Sequence, residues 1–271
     1  MPTRARRAVP PATPKRPGGV KHSAKSKDKE GTEFFFGYKM HMVADAKYGL
    51  PLAFRVTPGN RSDSPELPEV MKKAYGDYVW FKPSVATADR GYDAATNFTY
   101  LYGKNVDPII HIRKPTSRDD LYDGVYDKDS LPHCLGNVPM EFVGTSGKGE
   151  YIYHCKEGGC HLKKSMKGGI LHCDTVYSED PAASPELMRI LGPITRRNSP
   201  EWNDLYAKRW SVERLFKTLK ESRRLEAHCV RGLAHITLHM MMSTLAFQAS
   251  ALAEVKKGNH GGMRWAVPKV A

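Results

Sequence analysis

Cysteine is scarce in this sequence, five in 271 residues. So thin and odd a count does not make a disulfide scaffold, and a reducing cytoplasm is the expected setting. A Walker loop and a G-x-G-x-x-G fingerprint are both missing, which removes ATPase and dehydrogenase readings. The 19 prolines and 23 glycines follow no period, which excludes a collagen-like fibre. No internal repeat is present. The opening stretch MPTRARRAVPPATPKRPGG is basic and lacks an apolar core segment, so no secretory signal is read there. Long apolar runs are also rare. The one candidate, Gly232 to Ala253, carries no Asp, Glu, Lys or Arg. It holds His235, Thr237, His239, Ser243, Thr244, Gln248 and Ser250, and is expected to be a buried helix rather than a membrane span. Acidic residues are outnumbered, 29 against 42 Lys and Arg, for a net charge of +13. That surplus favours a polyanionic partner, because cations that neutralise phosphates release counterions. With 40% hydrophobic residues the chain can bury a core.

Residues 1–33 are rich in Pro, Lys and Arg and are expected to form a disordered basic arm. Phe34 to Ala44 reads as a strand with Tyr38, Met40 and Met42 on one side, and Leu50 to Thr57 as its hairpin partner across Tyr48-Gly49. Ser64-Pro65-Glu66 predicts a helix start with Ser as N-cap, running to about Tyr75. Ser84 to Ala88 is a short strand ending at Asp89, Asp93 to Tyr102 a helix, and Val106 to Arg113 a further strand. Strands alternating with helices make residues 34–113 the first part of an α/β domain. Residues 114–200 break the rhythm and read as a turn-rich β insertion. Residues 201–255 are helical and complete the domain; 256–271 form a flexible tail.

Chemistry concentrates on the first of these late helices, expected as one run from Glu201 to Leu225. At about 100° per residue, Tyr206, Arg209, Glu213, Lys217 and Lys220 share a sector of roughly 80°, beside an apolar stripe of Leu205, Val212, Leu215, Phe216 and Leu219. Such a stripe can be a solvated face with an ion pair such as Glu213 with Lys217. It can equally present one carboxylate among cations that grip a phosphate backbone. The second alternative needs another carboxylate. Asp89 is the candidate, at a strand end where open α/β sheets collect ligands, although Asp-Arg-Gly is also good turn chemistry. Paired carboxylates can hold Mg²⁺ and activate a nucleophile for in-line attack on phosphate.

The spacing Tyr206-x2-Arg209-x3-Glu213-x6-Lys220 resembles the Y-R-E-K signature of DDE transposases from bacterial insertion sequences. FGYKMHMVADAKYGLPLAFRVTPGNRSDS (Phe36 to Ser64) is similar to their hairpin, and ATADRGYD (Ala86 to Asp93) to the strand bearing their second Asp. The resemblance spans about Phe36 to Val255. It implies a ribonuclease H-like mixed sheet flanked by helices, with Asp89 and Glu213 as catalytic ligands of Mg²⁺ or Mn²⁺. It further implies Tyr206, Arg209, Lys217 and Lys220 on DNA, strand cleavage and transfer of the 3′ end into a target, a homodimer on paired ends, and work at the bacterial nucleoid.

The family's first Asp, on a strand before the hairpin, has no match. Asp28 is the one Asp upstream, in a polar stretch, while Asp45 and Asp63 match the hairpin turn and the loop before the helix. A chain lacking that first strand is expected to bind Mg²⁺ poorly and cleave little. In the insertion, Cys134, Cys155, Cys160 and Cys173 are candidate Zn²⁺ ligands beside neighbouring histidines; packing as small hydrophobes is the alternative. Cys229 is expected in the core. His235 and His239, at i and i+4, lack the Glu of an H-E-x-x-H motif and are not read as metal ligands. A DNA-binding protein without catalysis, its insertion stabilised by zinc, is the rival reading, and a nuclease of the same fold a third.

Overall fold

The computed structural model describes residues 18–23, 31–114, 121–134, 136–155, 176–227 and 229–265. Its strands are β1 (Gly18–Ser23), β2 (Gly31–Phe36), β3 (Tyr38–Ala44), β4 (Pro51–Pro58), β5 (Val85–Ala88), β6 (Asp107–Ile110), β7 (Glu141–Thr145), β8 (Tyr151–His154) and β9 (Val176–Glu179). Its helices are α1 (Glu66–Asp77), α2 (Ala95–Tyr102), α3 (Pro185–Leu191), α4 (Pro200–Ala207), α5 (Trp210–Ser222) and α6 (Leu233–Lys256).

The β3–β4 hairpin is built as its residues dictate. Asp45 accepts a hydrogen bond from the Tyr48 amide, and its carbonyl accepts one from Gly49, which sits at φ +67° where a side chain would be strained. Period-two alternation then gives the hairpin two apolar faces. Met40, Met42, Phe54 and Val56 pack against Leu215, Leu219, Ile236, Met240 and Phe247 of α5 and α6. Val43, from the opposite face, packs with Ala53 on Val70 and Ala74 of α1. The hairpin is thus a layer between helices.

The second core joins Leu67 and Met71 of α1, Phe98 and Leu101 of α2, Ile110 of β6, Tyr151 and Tyr153 of the insertion and Ile190 and Leu191 of α3. Arg197 fastens these parts. Its buried guanidinium donates to the carbonyls of Ile110 (2.6 Å), Arg189 (2.6 Å) and Ile190 (3.0 Å), two of which are end carbonyls of α3 with no helical partner. The helix ends at Gly192, at φ +72°, where an added Cβ would lie 2.5 Å from the Thr195 carbonyl oxygen.

Several expectations are corrected. Of the arm expected at residues 1–33, residues 1–17 and 24–30 lie outside the described residues, and β1 pairs antiparallel with β2 from Gly18–Phe36 to Ser23–Gly31. The strand read from Phe34 to Ala44 divides at Gly37 into β2 and β3. In place of one mixed sheet, the described strands form the separate sets β1–β2, β3–β4, β5–β6 (parallel) and β7–β8–β9. The insertion carries that three-stranded sheet and also α3, a helix with Ser184 as N-cap and Pro185 at its start; the same Ser-Pro-Glu signal read at residue 64 was present here too. At α1 the reverse holds: Ser64 makes no cap, and its oxygens accept from Asn97 Nδ2 instead. Cys229 is exposed. Helix α6 has the length and apolarity of a membrane span, but Ile236, Met240, Phe247 and Ala251 are in the core and Gln248 donates to the Pro51 carbonyl, as in a packed helix.

Candidate active site

Strand β5 delivers Asp89 to the end of the β5–β6 pair. Its Oδ1 accepts the Arg90 amide at 2.9 Å, so the turn-capping role is real. The carboxylate is nonetheless 68% exposed and faces a second element. That element is the α4–α5 junction. The helix expected to run straight through is tightened there: Lys208, Arg209, Ser211 and Val212 donate to the carbonyls of Leu205, Tyr206, Lys208 and Arg209, each three residues back. Such a turn advances about 120° per residue instead of 100°, so the phase of Tyr206 shifts relative to Glu213.

Consequently Tyr206 stands apart from the expected stripe. It stacks on buried Trp202 (centroids 5.2 Å apart, planes 7°) and meets the edge of His111 at 4.1 Å. His111 also touches Trp202 at 4.8 Å. Burial, then the cations Arg197, Arg90 and Arg209, holds His111 below its usual pKa, and burial pushes the Tyr206 phenol up. On this aromatic shelf lies Arg209, 5.2 Å from the Tyr206 ring centroid and 5.9 Å from that of Trp210.

Arg209 brings the two candidate carboxylates together. Its Nη1 is 2.5 Å from Glu213 Oε1 and 3.9 Å from Asp89 Oδ1. Glu213 therefore pairs one turn back with Arg209, not forward with Lys217. Lys217 lies 4.0 Å from Glu221, and Lys220 lies 2.7 Å from Glu226. These lysine pairs are exposed, and such pairs contribute about 0–1 kcal/mol, so a phosphate can replace their partners.

Asp89, Arg209, Glu213, Lys217 and Lys220 line a groove of about 1570 Å³. Its other walls include β3 and β5, from Tyr38 to Ala44 and from Val85 to Ala88, with Leu67, Val70 and Met71 of α1. Strand β3 pairs with β4 and β5 with β6; among the described residues neither has a second strand neighbour. The groove thus runs between two open strand edges. Beneath it His41 shares hydrogen bonds with Tyr92 Oη (2.8 Å) and Thr57 Oγ1 (3.0 Å), tying the hairpin to the Asp89–Tyr92 turn. Asp63 pairs with Lys39 at 2.8 Å and sits against Gly91, where an added Cβ would be 3.1 Å from its Oδ2. Neither the His41–Tyr92 link nor the Trp202 shelf was foreseen, although the i, i+4 spacing of Trp202 and Tyr206 was visible.

Asp45 and Asp63 are both engaged locally, and Asp28 lies outside the described residues. The groove is lined by Asp45, Asp63, Glu221 and Glu226 as well as by Asp89 and Glu213; Asp63, Glu221 and Glu226 pair with Lys39, Lys217 and Lys220, whereas Asp89 and Glu213 share Arg209. Two hard oxygen donors completed by substrate phosphate oxygens are a set that Mg²⁺ accepts, so the residues fit that ion. No group of three or more His, Cys, Asp or Glu is arranged for a metal among the described residues. Cys134 and Cys155 are half-buried, and Cys134 packs on the second core. Cys160 and Cys173 lie outside the described residues, and zinc has no support here. His235 and His239 bond to the carbonyls of Arg231 and Arg224.

The chain matches the family described as transposase DDE domain over residues 9–248. No curated protein and no solved structure matches it significantly. Since the match spans most of the chain and contains both carboxylates and the groove between them, the protein belongs to the DDE transposase family, whose chemistry is the cleavage and transfer of DNA strands.

Proposed function

We propose that the groove takes DNA and that Asp89 and Glu213 serve metal-dependent strand cleavage and transfer there. The observation behind this reading is that two carboxylates, remote in sequence, converge on one guanidinium between cationic residues. Asp89 and Glu213 would hold Mg²⁺ or Mn²⁺, which when bound polarises a phosphate and lowers the pKa of a water. The attacking oxygen forms a bond to phosphorus while the bond to the 3′ oxygen breaks, leaving a 3′-OH and a 5′-phosphate. That 3′-OH then attacks a target phosphate and displaces its 3′ oxygen. Lys217 and Lys220 hold the backbone as point charges and Arg209 as a bidentate fork; Tyr206 orients Arg209 from below. A homodimer joining two ends in the cytoplasm at the nucleoid completes the reading.

The test pairs Mn²⁺-dependent nicking of plasmid DNA with a mobility-shift assay. Glu213→Gln and Asp89→Asn should abolish nicking and leave DNA binding equal or tighter, since each removes a negative charge. Nicking that persists in both variants sinks the assignment. Lys217→Ala and Lys220→Ala should each lower the slope of log K against log salt by about one.

A further inference from the structure

We propose that Arg209 is the built-in counter-ion of the Asp89–Glu213 pair, standing where a divalent cation belongs and yielding that place when one binds. The inference rests on the reading that these carboxylates hold the metal. It goes further by giving Arg209 two alternating partners.

Two carboxylates directed into one groove repel each other unless a cation lies between them. Arg209 supplies it. Its Nη1 holds Glu213 Oε1 at 2.5 Å, a short charge-assisted contact. The same atom is 3.9 Å from Asp89 Oδ1, so one nitrogen lies between both acids. The arginine side chain is 17% exposed, while those of the acids are 68% and 40% exposed. The cation is thus embedded and its partners are open to solvent and ligand.

The contact is also incomplete. Arg209 Nε is buried and has no hydrogen-bond partner. A guanidinium built only to stabilise would use its donors, as Arg197 does with Nε, Nη1 and Nη2 all on carbonyls. The guanidinium carbon itself lies over the rings of Tyr206 and Trp210, a cation–π contact that holds the charge at the groove without filling its Nε donor. A divalent ion held by Glu213 and Asp89 would meet the Arg209 charge already 2.5 Å and 3.9 Å from those two carboxylates, so the two cations compete for the pair and loading favours a fork turned away from it. The released fork then points its donors into the same groove, where the phosphate backbone lies. By linkage, the arginine and the metal oppose each other's binding.

The experiment is a Mn²⁺ titration of the full chain, with free Mn²⁺ read by electron paramagnetic resonance. Wild type, Arg209→Gln, Arg209→Lys and the Asp89→Asn/Glu213→Gln double variant are compared, and circular dichroism checks folding. Arg209→Gln should bind Mn²⁺ about fivefold or more tightly than wild type, with Arg209→Lys between them because its ammonium keeps the charge and loses the fork. Unchanged or weaker binding in Arg209→Gln overturns the proposal, since an arginine that merely positioned the acids would aid the metal. Should Arg209→Gln fail to fold, Arg209→Lys decides by the same criterion. Undiminished Mn²⁺ binding in the double variant is a different failure: it removes the metal from Asp89 and Glu213 altogether.

Discussion

Asp89 and Asp93 lie one turn apart on the same segment and live by opposite rules. Asp93 is buried, and both its oxygens accept from Arg189 Nη1 at 2.9 and 3.0 Å, with the Arg113 amide adding a third bond at 2.7 Å. Beside it, Arg197 places its guanidinium nitrogens on backbone carbonyls. Asp89 is exposed and meets Arg209 loosely, and Arg209 keeps a buried N–H unused. Desolvation explains the contrast. A charge removed from water must have its hydrogen-bonding capacity filled or the fold is lost, whereas a charge at the edge of a groove can be left short of partners and so remain available to a ligand.

Substitution should separate the two regions cleanly. The largest effect is expected at Arg197→Ala, which leaves three carbonyls of β6 and α3 without their donor; a loss of about 3–5 kcal/mol by urea denaturation is expected. Asp93→Asn comes next, at about 2 kcal/mol, because Arg189 loses its buried carboxylate and keeps only that of the more exposed Glu186, 2.6 Å away. Asp89→Asn, the same change four residues earlier, should shift stability by no more than about 0.5 kcal/mol. A cost there matching that at Asp93 would erase the distinction drawn here.

The smallest effect concerns pH. Burial lowers the pKa of His41 below 6.5, against the pull of Asp63 and Glu66. Below pH 6.5 the unfolded chain therefore takes up the proton first. The stability from neutral His41 is complete above that pH and lost as pH falls through the folded-state value. His41→Gln should flatten that decline in melts from pH 7.5 to 5, leaving the slope from His111, whose pKa is lowered too. An unaltered decline would mean that the link from hairpin to Asp89 turn is not under proton control.

Sequence alone determined the elements with strong local causes. Alternation along Tyr38, Met40 and Met42 fixes which hairpin face meets the helices, because strand side chains alternate whatever surrounds them. Asp45 to Gly49 specifies its turn, since only local hydrogen bonds and a positive φ are required there. Asp89 and Glu213 were nameable as candidates, but a turn cap and a solvated ion pair explained them equally well by local chemistry, and it was the resemblance carried by the Tyr206 to Lys220 spacing that singled them out. What tertiary structure decided involves partners far apart in the chain. The tightened α4–α5 junction moved Tyr206 from the groove to the Trp202 shelf, which helical phase could not anticipate. The burial of Arg197 depends on β6 and α3 arriving together, and nothing near residue 197 announces it. The meeting of Asp89 with Glu213 on Arg209 is of the same kind: the residue types follow from sequence, but a distance between remote carboxylates is set by packing, since only the core beneath β5 and α5 brings their backbones within reach.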